Sequence, residues 1–207
     1  MKHIGLIIST LIFTSFSVFG QLNKQIDRSQ IASLKNSPFE TAKSMNSELK
    51  FQKKFRIQYV MDLDNLISKF PKDTIILAEN YDFICFGCPA DNVQILADTI
   101  LTNYKKDFKS KDYIKTIEFV SKKTFNQRAY ESDLFELRDE IWTDKYWNEK
   151  PEKYGTDKCL DGGHTFYTVF YPDKHMISMY MRCWIPKAIR KRTDANNNPQ
   201  SSSPPRQ

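Results

Sequence analysis

The sequence predicts an α+β fold, with helices packed on a largely antiparallel sheet that ends in a C-terminal β-hairpin and is stapled by disulfides. Three observations carry that prediction. Apolar residues recur every three or four positions over residues 39–53 and in the 134–141 stretch, the period of an amphipathic helix. They alternate with polar ones over 55–62 and 164–185, the period of a half-buried strand. All four cysteines, Cys85, Cys88, Cys159 and Cys183, lie beyond an N-terminal stretch with the features of an export signal.

That stretch, "MKHIGLIISTLIFTSFSVFGQ", has a positive Lys2, an apolar run from Ile4 to Val18, and Val18 and Gly20 where a signal peptidase requires small residues. The run is too short and too rich in Ser and Thr to span a bilayer as a helix. Residues 1–20 are therefore expected to be a signal peptide, 21–186 a single α+β domain, and 187–207 a disordered basic tail. The mature chain is expected in the periplasm or the medium, without a transmembrane segment.

Within the domain, a polar leader precedes "SPFE" at Ser37 to Glu40, which has the form of a capping box with Pro38 in the first turn. Phe39, Ala42, Met45 and Leu49 then mark one face of a helix running to about Lys53. Phe55, Ile57, Tyr59 and Met61 alternate with Arg56, Gln58, Val60 and Asp62 and predict a strand. "DLDNLISKF" predicts a short helix stopped by Pro71, and "TIILAENYDFICF" one or two buried strands. Val93, Leu96, Ile100, Tyr104 and Phe108 keep helical spacing, so a helix is favoured over a pair of strands at 93–108. Tyr113–Val120 reads as a strand and "SDLFELRDEIW" as a helix burying Leu134, Leu137 and Ile141. In the last hairpin, Pro172 suits the second position of a turn and Asp173 the third.

Charge narrows the function classes. The formal net charge is +6, but Lys187, Arg190, Lys191, Arg192 and Arg206 stand against only Asp194 in the tail. The body is close to neutral and lacks the basic, aromatic-laced face of a nucleic-acid binder, so no nucleic acid is expected as a partner. The tail composition, "TDANNNPQSSSPPRQ", cannot build a core.

The cysteines come next. An even number in an oxidising compartment implies two disulfides. Centring the hairpin turn on Pro172 and Asp173 places Cys183 across from Gly163 or His164, near Cys159, which leaves Cys85 to close on Cys88. The C-x-x-C pair in "FICFGCP" superficially resembles the thioredoxin family, whose motif also ends a strand and opens a helix. That resemblance implies Cys85 as nucleophile and Cys88 as resolving thiol, but Ile84 stands where the family has Trp, and no nearby proline matches its cis-proline. Zinc ligation by the pair with His164 and Cys159 or Cys183 lacks a second C-x-x-C. The leader ending "FGQ" and the C-x-G-C-P segment together resemble secreted proteins of the Bacteroidota, a likeness that implies export and no activity.

Other chemistry is sparse. His164 with Asp161 offers a general base without a recognisable nucleophile. Glu136, Asp139 and Glu140 crowd a helix as a solvated face would. Asp62 and Asp64 lack the glycine turn and distant Glu of a calcium loop. With no phosphate-binding or dinucleotide fingerprint, neither a cofactor nor a metal is expected. Trp142, Tyr146 and Trp147, or the aromatics of the 164–185 hairpin, form the candidate platform for a sugar ring or a protein partner. The sequence thus points to an exported, disulfide-containing, non-enzymatic binding or interaction protein with a protein or carbohydrate ligand. A thiol-disulfide oxidoreductase using Cys85 and Cys88 is the alternative.

Overall fold

The structure is a computed structural model of the chain, and it describes residues 20–37, 40–81, 88–107, 109–110, 112–120 and 163–182. Helix α1 covers residues 20–35. A 3-10 turn at Glu40–Lys43 leads to α2 (Asn46–Phe55), a second 3-10 turn (Arg56–Gln58) and α3 (Val60–Lys69). Six strands follow: β1 (Ile75–Tyr81), β2 (Asn92–Ala97), β3 (Ile100–Lys106), β4 (Tyr113–Phe119), β5 (His164–Phe170) and β6 (Met176–Arg182). They form one antiparallel sheet in the order β4-β3-β2-β1-β5-β6. Helices on an antiparallel sheet make this an α+β fold.

β1 is the centre of the sheet, and every one of its residues is buried. That explains why "IILA" reads as a continuous apolar run rather than an alternation. Its odd-numbered residues Ile75, Leu77 and Tyr81 join Val93, Ile95, Ala97, Tyr104, Phe166, Phe170 and Tyr180 beneath the helices. Its even-numbered Ile76 and Ala78 join Leu96, Leu101, Tyr167, Val169 and Met181 on the opposite face. The helical layer meets the sheet through Leu22, Ile26 and Leu34 of α1, Leu49 of α2 and Leu63 of α3. Spacing of four residues along α1 brings Leu22, Ile26, Gln30 and Leu34 to one stripe, and all four are buried.

Four sequence expectations are corrected. The polar leader before Ser37 is helix α1. Its apolar stripe is one residue per turn, narrower than the three or four per two turns that mark a surface helix, and polar Gln30 interrupts it. The helix expected from the Ser37–Glu40 capping box begins later: Glu40–Lys43 is 3-10, and α2 starts at Asn46 with no side-chain cap bond.

The strand expected at 55–62 is a 3-10 turn running into α3. Arg56 and Tyr59 are buried while Ile57 and Met61 are 63% and 51% exposed, the reverse of the alternation. Gln52, Arg56, Tyr59 and Leu63 instead fall at helical spacing on one buried face. The helix expected at 93–108 is the β2–β3 hairpin. Asp98, with φ 51°, takes the left-handed conformation that aspartate tolerates in turns, and the apolar residues pack on both faces of the sheet, Val93 and Ile95 beneath the helices and Leu96 and Leu101 on the other side.

Elsewhere residues and structure agree. α3 ends at Lys69, two residues before Pro71, and Tyr113–Phe119 is a strand. β5 and β6 are joined through Pro172 and Asp173, with Lys174 N–H donating to Tyr171 C=O and Tyr171 N–H to His175 C=O, both at 3.0 Å. Lys174 supplies the left-handed residue, φ 69°. The expected helix with Leu134, Leu137 and Ile141 lies outside the described residues, as do residues 1–19 and the tail from 187. Among the described residues, no helix is long and apolar enough to cross a membrane.

Candidate functional site: a buried ionic network

The densest chemistry in the described residues sits between the helices and β1. Glu79 is the fifth residue of β1 and, by the period of two, shares its face with Leu77 and Tyr81. It would be a lone charge in an apolar layer without Arg56, which the 3-10 turn between α2 and α3 lowers onto it. Arg56 Nε is 2.8 Å from Glu79 Oε1 and Nη2 is 3.1 Å from Oε2, a bidentate fork. Neither side chain is exposed at all.

Two more side chains complete the carboxylate's shell. Gln30 of α1 donates to Glu79 Oε2 at 2.5 Å and to Thr168 Oγ1 of β5 at 3.2 Å, and its own oxygen accepts from Arg56 Nη2. The Tyr59 hydroxyl donates to Glu79 Oε1 and accepts from Gln52 Nε2 of α2 at 2.7 Å. Arg56 Nη1 reaches Asn23 Oδ1 at 3.4 Å and lies 3.9 Å from Asp27. Lys53 binds Asp27 at 3.0 Å nearer the surface.

The electrostatics follow from this geometry. Burial alone would raise the Glu79 pKa, but the Arg56 charge and the hydrogen bonds from Arg56, Tyr59 and Gln30 outweigh it and hold the carboxyl below its usual value. Burial likewise works against the Arg56 cation, and the Glu79 carboxylate overrides it and raises the guanidinium pKa. The pair is therefore ionised inside the core. Tyr59 is pushed well above the ordinary phenol value, first by burial and then by the Glu79 charge, so its hydroxyl stays a donor.

Chemically, this arrangement holds elements together. Glu79 and its partners tie α1, α2, the 3-10 turn, β1 and β5 through fully buried side chains. Removing two ions from water costs several kcal/mol each by general expectation, returned only when geometry and hydrogen bonds are as complete as these.

A second, shallower cluster lies on α3, β3 and β4. Asp62 accepts from the Tyr104 hydroxyl and pairs with Lys115 Nζ at 2.5 Å. Burial and then Asp62 raise the Tyr104 pKa. Asp62 thus serves an inter-element bond.

Of the residues singled out by sequence, His164 is buried, its Nδ1 2.6 Å from the Tyr180 hydroxyl and its ring stacked on Tyr180 with centroids 5.9 Å apart. Asp161 lies outside the described residues. His175 is exposed at the β5–β6 turn, bonded to Asp173 and stacked on Tyr171 at 4.1 Å. Cys88 is half-buried and disulfide-bonded; Cys85, Cys159 and Cys183 lie outside the described residues. So do Trp142, Tyr146, Trp147, Glu136, Asp139 and Glu140. Of the hairpin aromatics, Phe166, Tyr167, Phe170 and Tyr180 are buried and pack the sheet, Tyr171 is half-buried, and Trp184 lies outside the described residues. Among the described residues, no group of three His, Cys, Asp or Glu side chains is placed to hold a metal.

Sequence reasoning missed Gln30, Gln52, Arg56, Tyr59 and Glu79. One signal was present: Glu79 stands inside "TIILAENYDF", an acid within a run long enough to be buried on both faces, and a buried acid needs a cation. Compared with family models, with curated proteins and with solved structures, the chain matches none.

Proposed function

We propose that the protein is an exported, disulfide-stapled binding protein without catalytic activity, and that it captures an extended polypeptide segment along the free edge of β4. The exposure of β4 carries this reading. β4 ends the strand order, and its seven residues leave Ile114 59%, Ile117 56% and Phe119 84% exposed. Ile114 points to one face of the strand and Ile117 and Phe119 to the other, so among the described residues β4 exposes apolar side chains on both faces. An unpaired strand edge offers a row of N–H and C=O groups to an incoming strand, and alternate side chains add apolar area.

The Arg56–Glu79 network supports the reading from the other side, because it is sealed from any substrate. Export rests on residues 1–20 and accords with a disulfide at Cys88. Cleavage after Gly20 would remove a single residue from the described span of α1. The staple is completed in this proposal by Cys85–Cys88 and Cys159–Cys183 bridges. A carbohydrate ligand at Trp142, Tyr146 and Trp147 is the second reading.

The test uses a synthetic peptide with the β4 sequence YIKTIEF, added to isotopically labelled full-length protein and followed by amide NMR. Shifts confined to β4 and β3, abolished in Phe119→Lys, are the expected result. Absence of any shift at β4 up to millimolar peptide would overturn the edge reading.

A further inference from the structure

The hydrogen bonds at the two ends of β4 fix which of its residues look outward. Val120 N–H donates to Thr99 C=O and Asp107 N–H to Asp112 C=O, each at 2.8 Å. Both pairs continue the β3–β4 register, in which Ile100 lies opposite Phe119 and Lys106 opposite Tyr113. Hydrogen-bonded and non-bonded pairs alternate along an antiparallel ladder, so the even-numbered residues of β4 turn their N–H and C=O towards β3. Tyr113, Lys115, Ile117 and Phe119 turn theirs to the edge. The first of these is already engaged: Tyr113 N–H donates to Gln58 Oε1 at 2.9 Å, while Gln58 Nε2 donates to Asp112 Oδ1 at 3.2 Å. The open run of the edge therefore extends from Lys115 to Phe119.

The side chains divide by the same parity. Lys115 pairs with Asp62 of α3, which puts the odd-numbered side chains on the helix side of the sheet and Ile114, Thr116 and Glu118 on the other. The charged residues of the strand, Lys115 and Glu118, thus lie on opposite faces.

We propose that the segment captured at this edge is β4 of a second copy of the chain, the two strands pairing antiparallel about a two-fold axis through Ile117. The proposal rests on the edge reading above and names its occupant. Such an axis stands normal to the sheet and keeps each side chain on its own face, so the same patch meets itself and odd residues meet odd ones. Centred on Ile117, the pairing sets Ile117 opposite the partner's Ile117 and Lys115 opposite the partner's Phe119, and asks no bond of Tyr113. Centred instead on Thr116, it would need the Tyr113 N–H that Gln58 holds, and it would put Lys115 against the partner's Ile117 and Glu118 against the partner's Ile114. Gln58 therefore selects the first register.

In that register β4 is its own complement. Phe119, 84% exposed in the single chain, lies across from the aliphatic stem of Lys115, whose ammonium stays on Asp62. On the other face the Thr116 hydroxyl stands opposite the partner's Glu118 carboxylate. Neither charge lies directly opposite its own copy, the placement that destabilises a strand pair. The two sheets become one, and the β4 edge is no longer open.

The experiment is analytical ultracentrifugation of the full-length protein from micromolar to millimolar concentration, with isotope-filtered NOE spectroscopy on an equal mixture of labelled and unlabelled chains. A dimer is expected, with an intermolecular contact between the Hα protons of Thr116 and Glu118, a non-bonded pair in this register. Ile117→Lys sets two ammonium groups opposite each other on the axis. It should weaken the dimer about tenfold or more while the β3–β4 amide signals stay those of the folded chain. A dimer that Ile117→Lys leaves intact, or one whose contact joins Thr116 to Thr116, would overturn the proposal. So would a chain that stays monomeric at millimolar concentration. If that monomer still shows β4 shifts with the YIKTIEF peptide, the edge reading stands and only the second copy fails as its occupant; without those shifts both fail.

Discussion

Glu79→Gln is the sharpest test of what holds this fold together, because it keeps the shape of the side chain and removes only its charge. The carboxylate accepts four hydrogen bonds, two from Arg56 and one each from Gln30 and Tyr59. An amide presents one oxygen and an NH2, so it turns a donor toward one of those donors. Arg56 remains fully buried with Asp27, 3.9 Å away, as its nearest acid. Stranding one partner of a buried pair costs about 3–5 kcal/mol. For a domain of this size each kcal/mol moves the melting temperature by roughly 2–4 °C, so a fall of about 6–20 °C is expected. The assay is urea unfolding, read as a lower midpoint with an unchanged slope. The companion variant, Arg56→Met with Glu79→Met, removes both charges. Its loss should be smaller than the sum of the two single losses, the remainder coming from Gln30 and Tyr59 at about 1–3 kcal/mol for each orphaned group. If Glu79→Gln lies within about 1 kcal/mol of wild type, or the two Met substitutions simply add, the ion pair is not desolvated and the reasoning fails.

Acid should weaken the fold through the same residue. Glu79 has a folded pKa below its unfolded value of 4.5, so its contribution is complete above that value and is lost as pH falls below it; unfolding free energy measured from pH 6 to pH 3 should drop below pH 4.5, and much less in the double Met variant. At the alkaline end, Tyr59, Tyr81, Tyr104 and Tyr113 all have folded pKa values above 10.0, so stability should decline as pH rises past 10, when only the unfolded chain can ionise. Gln52→Ala removes the acceptor for Ala90 N–H and should cost about 1–3 kcal/mol, with faster reduction of the Cys88 disulfide by a mild thiol. Lys174→Gly relieves a left-handed backbone and should raise stability by about 1 kcal/mol, read as a higher melting temperature. Ile117→Lys on the exposed edge should change stability by no more than about 0.5 kcal/mol while abolishing any binding through β4.

What could be read in the sequence divides along a physical line. β1 was legible because seven buried residues in a row leave a dense apolar run, and the end of α3 because proline restricts the residue before it. The β5–β6 turn lies where proline and aspartate chemistry puts one. Residues 93–108 were not legible, because Val93, Leu96, Ile100 and Tyr104 fit a helix face as well as two strands broken at Asp98. What decides between them is Ile95 and Ala97 packing under the helices while Leu96 packs on the other face, a tertiary fact. At 55–62 the apolar residues misled for a related reason: Ile57 and Met61 sit outside, and a charged residue, Arg56, sits inside. Period-based reading assigns apolar residues to the core and charges to water, and it fails where an ion pair is the core. The network itself was invisible as a set, since Gln30, Arg56 and Glu79 are separated by more than twenty residues at each step.

That failure bears on how the fold is specified. An apolar residue at 79 would let α1 and the α2–α3 turn slide over β1 with little change in buried area, because dispersion and hydrophobic burial are non-directional. Glu79 removes that freedom. Only one placement of the 3-10 turn gives its carboxylate the two-pronged Arg56 fork, and only one rotation of α1 brings Gln30 to bond Glu79, Arg56 and Thr168 together. Any other arrangement leaves a charge in the core without its partner, an energetic gap larger than most packing differences. Directional specificity of this kind has a consequence for the proposed edge at β4. Tyr113, the first residue of that strand, bonds Gln52 and Ala90 and packs against Tyr59, so β4 is positioned from the network outward through one tyrosine. An incoming strand would therefore meet an edge already held in register, and would lose little freedom of the protein on binding.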